Sequence, residues 1–459
     1  MRRMERPEIA QFLEDKDPRL VAEAARAIND VPILGAMPKL AEYIPNCACD
    51  YPEELRAQIL SRAINANYRQ GTTRDFGRVV NFIMMDKAPE LMRAEALNAI
   101  AEWETPSPLD RVNGMWRPHT NRTASVSREG LAPVLEHLLR EVSSEPIQLA
   151  AVRCIQRLEI KDLSPALLKQ FGKPGSSSAL RVQILQALGA LQTPQLSRAV
   201  ELSLNDGEPT VRAEGIRWAG KLNPTDAAPL LEKLLATEKD VVIGQAVYSV
   251  LGQIKDPAAD AILERQLEAL LRGTIRPELQ LDLLEAARSR AAAPIISKLK
   301  QYDTAHSASD KLAAHRPALF GGNKENGKKL FNERDDLGCL RCHAIKGKGG
   351  VVGPDLAGVA TRLSREKLLE SILFPNDAFT LGFENALITI KGGAVYAGLV
   401  KTETETELVL HSPEDGDQTI KKADMEKRER GLSAMPDGLG ALMSQRDLRD
   451  LIEYLASLK

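Results

Sequence analysis

The chain contains no apolar run approaching the roughly 18 residues that a membrane-spanning helix needs, so nothing in it is expected to span a membrane. Aromatic residues are scarce, at 4% of 459, which argues against a β-sandwich, whose strands draw on aromatic and β-branched side chains. Alanine and leucine are abundant instead, and both favour helices. Charge of one sign is also missing. With 61 basic and 63 acidic residues the net charge is -2, which gives no reason to expect a nucleic acid or a membrane surface as partner. There are only five cysteines, and Cys47 and Cys49 are too close in sequence for an easy disulfide. What remains, 43% hydrophobic and 27% charged, is an ordinary globular balance, and the length implies two to four domains.

One apolar pattern recurs through the first three hundred residues. Its eight copies are Val21–Ile28, Arg56–Ala63, Arg93–Ile100, Gln148–Ile155, Arg181–Leu188, Arg212–Ala219, Ile243–Val250 and Gln280–Ala287, with starts separated by 35, 37, 55, 33, 31, 31 and 37 residues. Apolar positions at i, i+3, i+4 and i+7 line one face of an α-helix. A proline precedes or opens most copies (Pro18, Pro52, Pro89, Pro146, Pro209, Pro277), as suits a helix start, where the missing N–H would have been unpaired anyway. A second, weaker helical stretch, such as Ala227–Ala236, lies between copies. Paired helices of this size stack, each burying its apolar face against its neighbours. The pattern resembles HEAT repeats and predicts an α-solenoid over residues 1–300, with a plain helical bundle as the alternative. The 55-residue step holds an insertion at about 104–129, where His119 is expected to be solvated on an exposed loop.

Near residues 301–317 the repeat fades into a polar stretch, taken as a linker to a domain over 318–459. That domain contains Cys339-Leu340-Arg341-Cys342-His343. Two thiols three positions apart can each add across a vinyl group of one porphyrin, and the histidine after the second is then aimed at the iron, which is the c-type haem attachment pattern. A zinc site would want a second Cys or His pair at ligand spacing, and the nearest other cysteine is Cys154. A thioredoxin-like site would want an alternating βα pattern, and none is visible. With Cys339 and Cys342 on haem, Cys47, Cys49 and Cys154 are expected to be free, mostly buried thiols.

Residues 323–334 and 444–458 have helical spacing, and Gly327, Phe331 and Tyr454 stand where the first and last helices of a class I cytochrome c cross. Gly353-Pro354-Asp355-Leu356 resembles the segment whose proline carbonyl accepts a hydrogen bond from the haem-ligand histidine. Of the methionines after His343, Met425 lies in a charged stretch and Met443 continues an apolar face. Met435, in Ser433-Ala-Met-Pro-Asp-Gly438 before the last helix, is the expected sixth ligand. Between residues 384 and 430 the period changes to alternation, with strands at 386–390, 394–400, 407–410 and 418–421, a small antiparallel sheet inserted among haem-binding elements. His411 at a strand end is expected to be solvated and no ligand.

The order CLRCH, GPDLAGV, TRLSREKLLESILFPN, GGAVYAGLV and SAMPDGL over the last 140 or so residues resembles the haem-binding domain found widely in planctomycetes and verrucomicrobia. That resemblance implies a mainly α fold, a HEAT-like solenoid followed by a class I cytochrome c-like domain with an inserted sheet. It also implies one covalent haem c, an upstream exported β-propeller resembling sugar dehydrogenases, and electron transfer between a dehydrogenase and a respiratory acceptor. By likeness to class I cytochromes, Arg362 or Arg365 would pair with haem propionates. Met1-Arg-Arg-Met-Glu-Arg-Pro carries no apolar signal region, and Arg2 and Arg3 are not followed by the run a twin-arginine signal requires. The expectation is therefore the C-terminal part of a longer, periplasmic or otherwise exported protein. No acid–base constellation marks an enzyme in this chain. The competing functions are a haem-based redox or gas sensor, in which Met435 leaves the iron, and a scaffold whose repeats grip a partner.

Overall fold

The computed structural model describes residues 4–46, 50–119, 125–307, 310–380, 382–412 and 415–459, in two compact units, Met1–Asn223 and Pro224–Lys459. Cys47 and Cys49 lie outside the described residues.

In the first unit each of six pattern copies sits within a helix: Pro18–Asp30, Glu53–Gln70, Glu90–Ala101, Glu145–Arg157, Ser178–Leu191 and Pro209–Leu222. Prolines open the first, fourth and sixth, while Pro52 and Pro89 occupy the cap position. Asp17 caps the first helix by accepting from the Arg19 N–H, 2.9 Å away. The periodic residues, such as Val21, Ala25 and Ile28, are fully buried, and each pattern helix lies against the next. Shorter helices such as Thr73–Ile83 and Gln195–Leu204 alternate with them. Burial therefore comes from stacking, as in a solenoid. Cys154 is inside that core, where burial pushes its thiol pKa up to about 12.

The insertion is exposed over much of its described length, as at Trp116, but it is anchored at several side chains. Its Asp110 carboxylate is buried and accepts from Asn65 Nδ2 at 2.9 Å and from the Val112 N–H at 3.0 Å. Arg117 donates to the Asn29 carbonyl at 2.7 Å. His119 is half-buried rather than solvated, its ring edge-on to Tyr68 with centroids 5.1 Å apart. The insertion has prolines and no helical period, so the sequence did not show this anchoring.

The second unit begins with repeat helices. Val241–Gln253 and Pro277–Arg288 carry the last two pattern copies, among Pro224–Thr237, Pro257–Leu271 and Ala293–Ser307. The stretch expected to be a polar linker is largely folded: helix continues to Ser307, and Leu312 and Ala318 join the core of the domain that follows. That domain is seated on the repeats. Buried Asp282 pairs with Arg449, itself 5% exposed, at 2.6 Å and with Arg446 at 3.1 Å. Gln245 Nε2 donates to the Gly321 carbonyl at 2.7 Å.

The C-terminal domain opens with Lys324–Glu333 and closes with Gln445–Ala456. Asn323 caps the first by accepting from Glu325 and Asn326, and a Ser444/Asp447 capping box starts the last. The two helices cross at Gly327, where a Cβ would stand 2.0 Å from the Asp450 carbonyl oxygen, so only glycine permits the approach. Phe331 and Tyr454 pack beside it with ring centroids 5.8 Å apart. A two-residue hairpin, β1 Ala344–Ile345 and β2 Lys348–Gly349, follows the Cys-rich turn.

The inserted sheet has five strands: β3 Asn385–Ile390, β4 Val395–Glu403, β5 Glu407–Ser412, β6 Gly416–Lys421 and β7 Met425–Arg430, in the antiparallel order β6-β5-β4-β3-β7. Four strands match the alternation, and β7 was not foreseen. Ala386, Ile388, Leu408, Leu410 and Ile420 form a small core on one face.

Candidate functional site

Cys339–Cys342 is a single helical turn, entered through Gly338 in the left-handed conformation at φ 61°. Residues i and i+3 share a helix face, so both thiols point the same way. His343 leaves the turn in extended conformation, its N–H bonded to the Cys339 carbonyl at 2.8 Å. The chain then folds back: Gly353 N–H donates to the Cys342 carbonyl and Leu356 N–H to the Ala344 carbonyl, both at 2.8 Å. This return brings the Pro354 carbonyl 2.9 Å from His343 Nδ1. A carbonyl can only accept, so Nδ1 carries the proton and the Nε2 lone pair is left for a metal. A Cβ at Gly353 would stand 2.6 Å from His343 Cε1, so the missing side chain makes room for the ring. Asp355 holds the same loop, accepting from the Ala357, Gly347 and Lys346 N–H groups, and those bonds hold its carboxyl below the usual carboxylate range.

Met435 reaches the same cavity as His343 from the loop before the last helix. Its loop is clamped by Asn376, whose Oδ1 accepts from the Ser433 N–H at 2.7 Å and whose Nδ2 donates to Asp437 at 2.6 Å. Cys339, Cys342, His343, Pro354, Arg362 and Met435 all line one cavity of about 890 Å³, mostly apolar and within the range of cofactor sites. Its donor set is two free thiols, the imidazoles of His343 and His411, and thioethers, since Met443 lines it too, while Met425 does not. Burial pushes the Cys339 thiol up. Two thiols, an oriented imidazole and an apolar wall suit a c-type haem. Among the described residues, no three His, Cys, Asp or Glu side chains group as a separate metal site.

The two arginines part company. Arg362 lines the cavity and donates to the Asp355 carbonyl at 3.1 Å. Arg365 is engaged elsewhere, with both Glu453 oxygens at 2.8 Å and the Leu319 carbonyl at 2.8 Å. Asn376 was missed, because its bonds join segments 57 and 61 residues apart. His411, expected to be solvated, is exposed yet also lines the cavity.

A family model for cytochrome c matches residues 324–387, from the first helix of this domain into β3. The chain carries a cytochrome c domain. Haem binding goes with that family, and the match includes the CxxCH turn and the Pro354 loop. The cytochrome c match ends before Met435 and most of the sheet. Ahead of it, a model for HEAT repeats matches residues 196–276. The architecture is thus a HEAT-like solenoid followed by a cytochrome c domain with an inserted antiparallel sheet.

A search of curated proteins finds no match. Among solved structures, Escherichia coli YibA is 14% identical at a TM-score of 0.39, covering 64% of this chain and 92% of that one. The CpcE–CpcF complex of phycocyanin lyase from Nostoc is 16% identical at 0.28, covering 65% and 94%. Human deoxyhypusine hydroxylase in complex with glycerol is 15% identical at 0.24, covering 65% and 97%. Likenesses this loose carry no argument about function. No described helix is long and apolar enough to cross a membrane.

Proposed function

We propose that the cytochrome c domain, over residues 318–459, would hold one haem covalently through Cys339 and Cys342, with His343 and Met435 as the protein ligands of the iron and Arg362 as a partner for a propionate. The chain then passes electrons from a dehydrogenase, upstream or a separate partner, to a respiratory acceptor on the outer side of the bacterial cytoplasmic membrane. The hydrogen bond from His343 Nδ1 to the Pro354 carbonyl supports this best, because it fixes the one tautomer whose Nε2 can bind iron, in a cavity shared with both thiols and Met435.

Haem supplies an iron that alternates between ferric and ferrous states. Cys339 and Cys342 would hold the group covalently, each by a thioether bond to one vinyl group, an addition that would need no further reactant. Pro354 holds the His343 ring against rotation and makes it a stronger donor. Asn376 fixes the Met435 loop on either side of the thioether. The Met435 sulfur favours ferrous iron, so the His/Met pair raises the reduction potential relative to two histidines. The mostly apolar lining would limit contact with water.

The test is the absorption spectrum, oxidised and reduced, of protein exported with a haem-maturation system, beside Met435→Ala and Met443→Ala. The expected result is a covalent c-type spectrum whose weak red-edge sulfur-to-iron band vanishes only in Met435→Ala. Absence of covalent haem, or a band that survives in Met435→Ala and is lost in Met443→Ala, overturns the assignment.

A further inference from the structure

The inserted sheet presents a row of side chains to the haem cavity. Asn385 of β3 pairs with Leu399 of β4, Leu399 pairs with His411 of β5, and His411 pairs with Asp417 of β6. Directly paired residues share a face, so these four lie on one side of the sheet, opposite the small core of Ile388, Leu408 and Leu410. Asn385, Leu399 and His411 all line the cavity that holds Cys339, Cys342 and His343.

The charges along this row do not balance by themselves. His411 Nδ1 is 2.7 Å from Asp417 Oδ1, and Lys401 Nζ of β4 is 2.5 Å from Asp417 Oδ2. Two potential cations thus share one carboxylate. β3 contributes only uncharged Asn385 to the row, and the other cationic side chain on the cavity wall is Arg362. No Asp or Glu lines the cavity among the described residues. An anion on the Nε2 side of a protonated His411 would balance this charge, and a haem carries two propionates.

We propose that His411 is a propionate-binding residue supplied by the inserted sheet, and that its protonation is coupled to reduction of the iron. The proposal rests on the haem occupying this cavity. His411 gains one proton from water when the iron gains one electron from a one-electron donor, and it returns the proton on oxidation. The sign follows from electrostatics: reduction removes one positive charge nearby, so the protonated imidazole is favoured in the reduced protein. The midpoint potential must then fall with rising pH wherever this proton is released, by up to ~59 mV per tenfold change in proton concentration for one electron.

The experiment is a mediated redox titration of the full-length holoprotein from pH 5.5 to 8, with wild type, His411→Gln and Asp417→Asn, each first checked for covalent haem by its reduced spectrum. A protein without haem defeats the functional assignment and not this coupling. With haem present, the expected wild-type potential slopes within this range and that of His411→Gln is flat. Asp417→Asn removes the anion that favours the imidazolium, so its sloping region moves to lower pH. A flat wild-type profile, an unchanged slope in His411→Gln, or an unmoved window in Asp417→Asn overturns the proposal. The last arm stands alone if the glutamine variant does not fold.

Discussion

Replacing Arg449 by methionine tests whether the last repeats and the cytochrome domain are one folded body. The substitution keeps the unbranched stem but strips buried Asp282 of its partner at 2.6 Å, leaving it only Arg446 at 3.1 Å. Arg446 is half exposed, so its attraction is weakened by water. Breaking a buried pair by removing one member costs about 3–5 kcal/mol, which at 1.4 kcal/mol per power of ten is roughly two to three and a half decades in the folding equilibrium. With a urea dependence of about 3 kcal/mol per molar, the midpoint falls by roughly 1–1.7 M. Urea unfolding followed by both circular dichroism and haem absorbance is the assay, and both signals should shift together. Burial already holds the Asp282 carboxyl above 3.8, with Arg449 and Arg446 opposing the rise, so losing Arg449 raises it further. A raised carboxyl contributes stability that is complete below its unfolded pKa and lost as pH rises through the folded value, so the variant should lose more at pH 8 than at pH 5. Asp282→Leu with Arg449→Met removes both charges and should recover wild-type stability or exceed it by about 1–4 kcal/mol. A loss below about 1 kcal/mol at pH 7, an equal loss at both pH values, or no recovery in the double variant would refute this reasoning.

Gly327→Val should destabilise the domain by about 1–3 kcal/mol or more, because its Cβ meets the Asp450 carbonyl at 2.0 Å; thermal unfolding measures it, and an unchanged midpoint would mean that the helices can part freely. Asn376→Ala removes both bonds that clamp the Met435 loop, each contributing about 1 kcal/mol. Added imidazole should therefore displace the sulfur at a concentration roughly ten- to thirtyfold lower, at 1.4 kcal/mol per power of ten. An unchanged imidazole titration would show that the loop is held by other means.

Local chemistry was readable where a period or a motif wrote it into contiguous residues. The pattern copies became helices because their apolar stripe repeats at helical spacing, and the CxxCH turn and the Pro354 carbonyl lie within sixteen residues of each other. The crossing at Gly327 was legible because a glycine and an aromatic residue stand one turn apart. Strand β7 escaped because Met-Glu-Lys-Arg-Glu-Arg shows no apolar alternation. It is an edge strand, and charge is what keeps such edges from pairing with another chain. Asn376, His411 and Arg449 escaped for a different reason. Their significance depends on a partner segment or a strand register, and Asp282 lies 167 residues from Arg449. Tertiary ion pairs at such separations leave no periodic trace.

Under the proposed electron-transfer role, the seating of the cytochrome domain on the helices of residues 224–307 would set the terms on which electrons enter and leave. A domain on a slack tether searches for its partner and meets it in many poses. Here the Asp282 pair and the Gln245 bond to Gly321 fix the haem cavity to the repeat helices beneath it. Any protein gripping those helices would be held at one distance and one orientation from the iron, so its electron-transfer rate would be set by where it binds and not by how far the domain can swing.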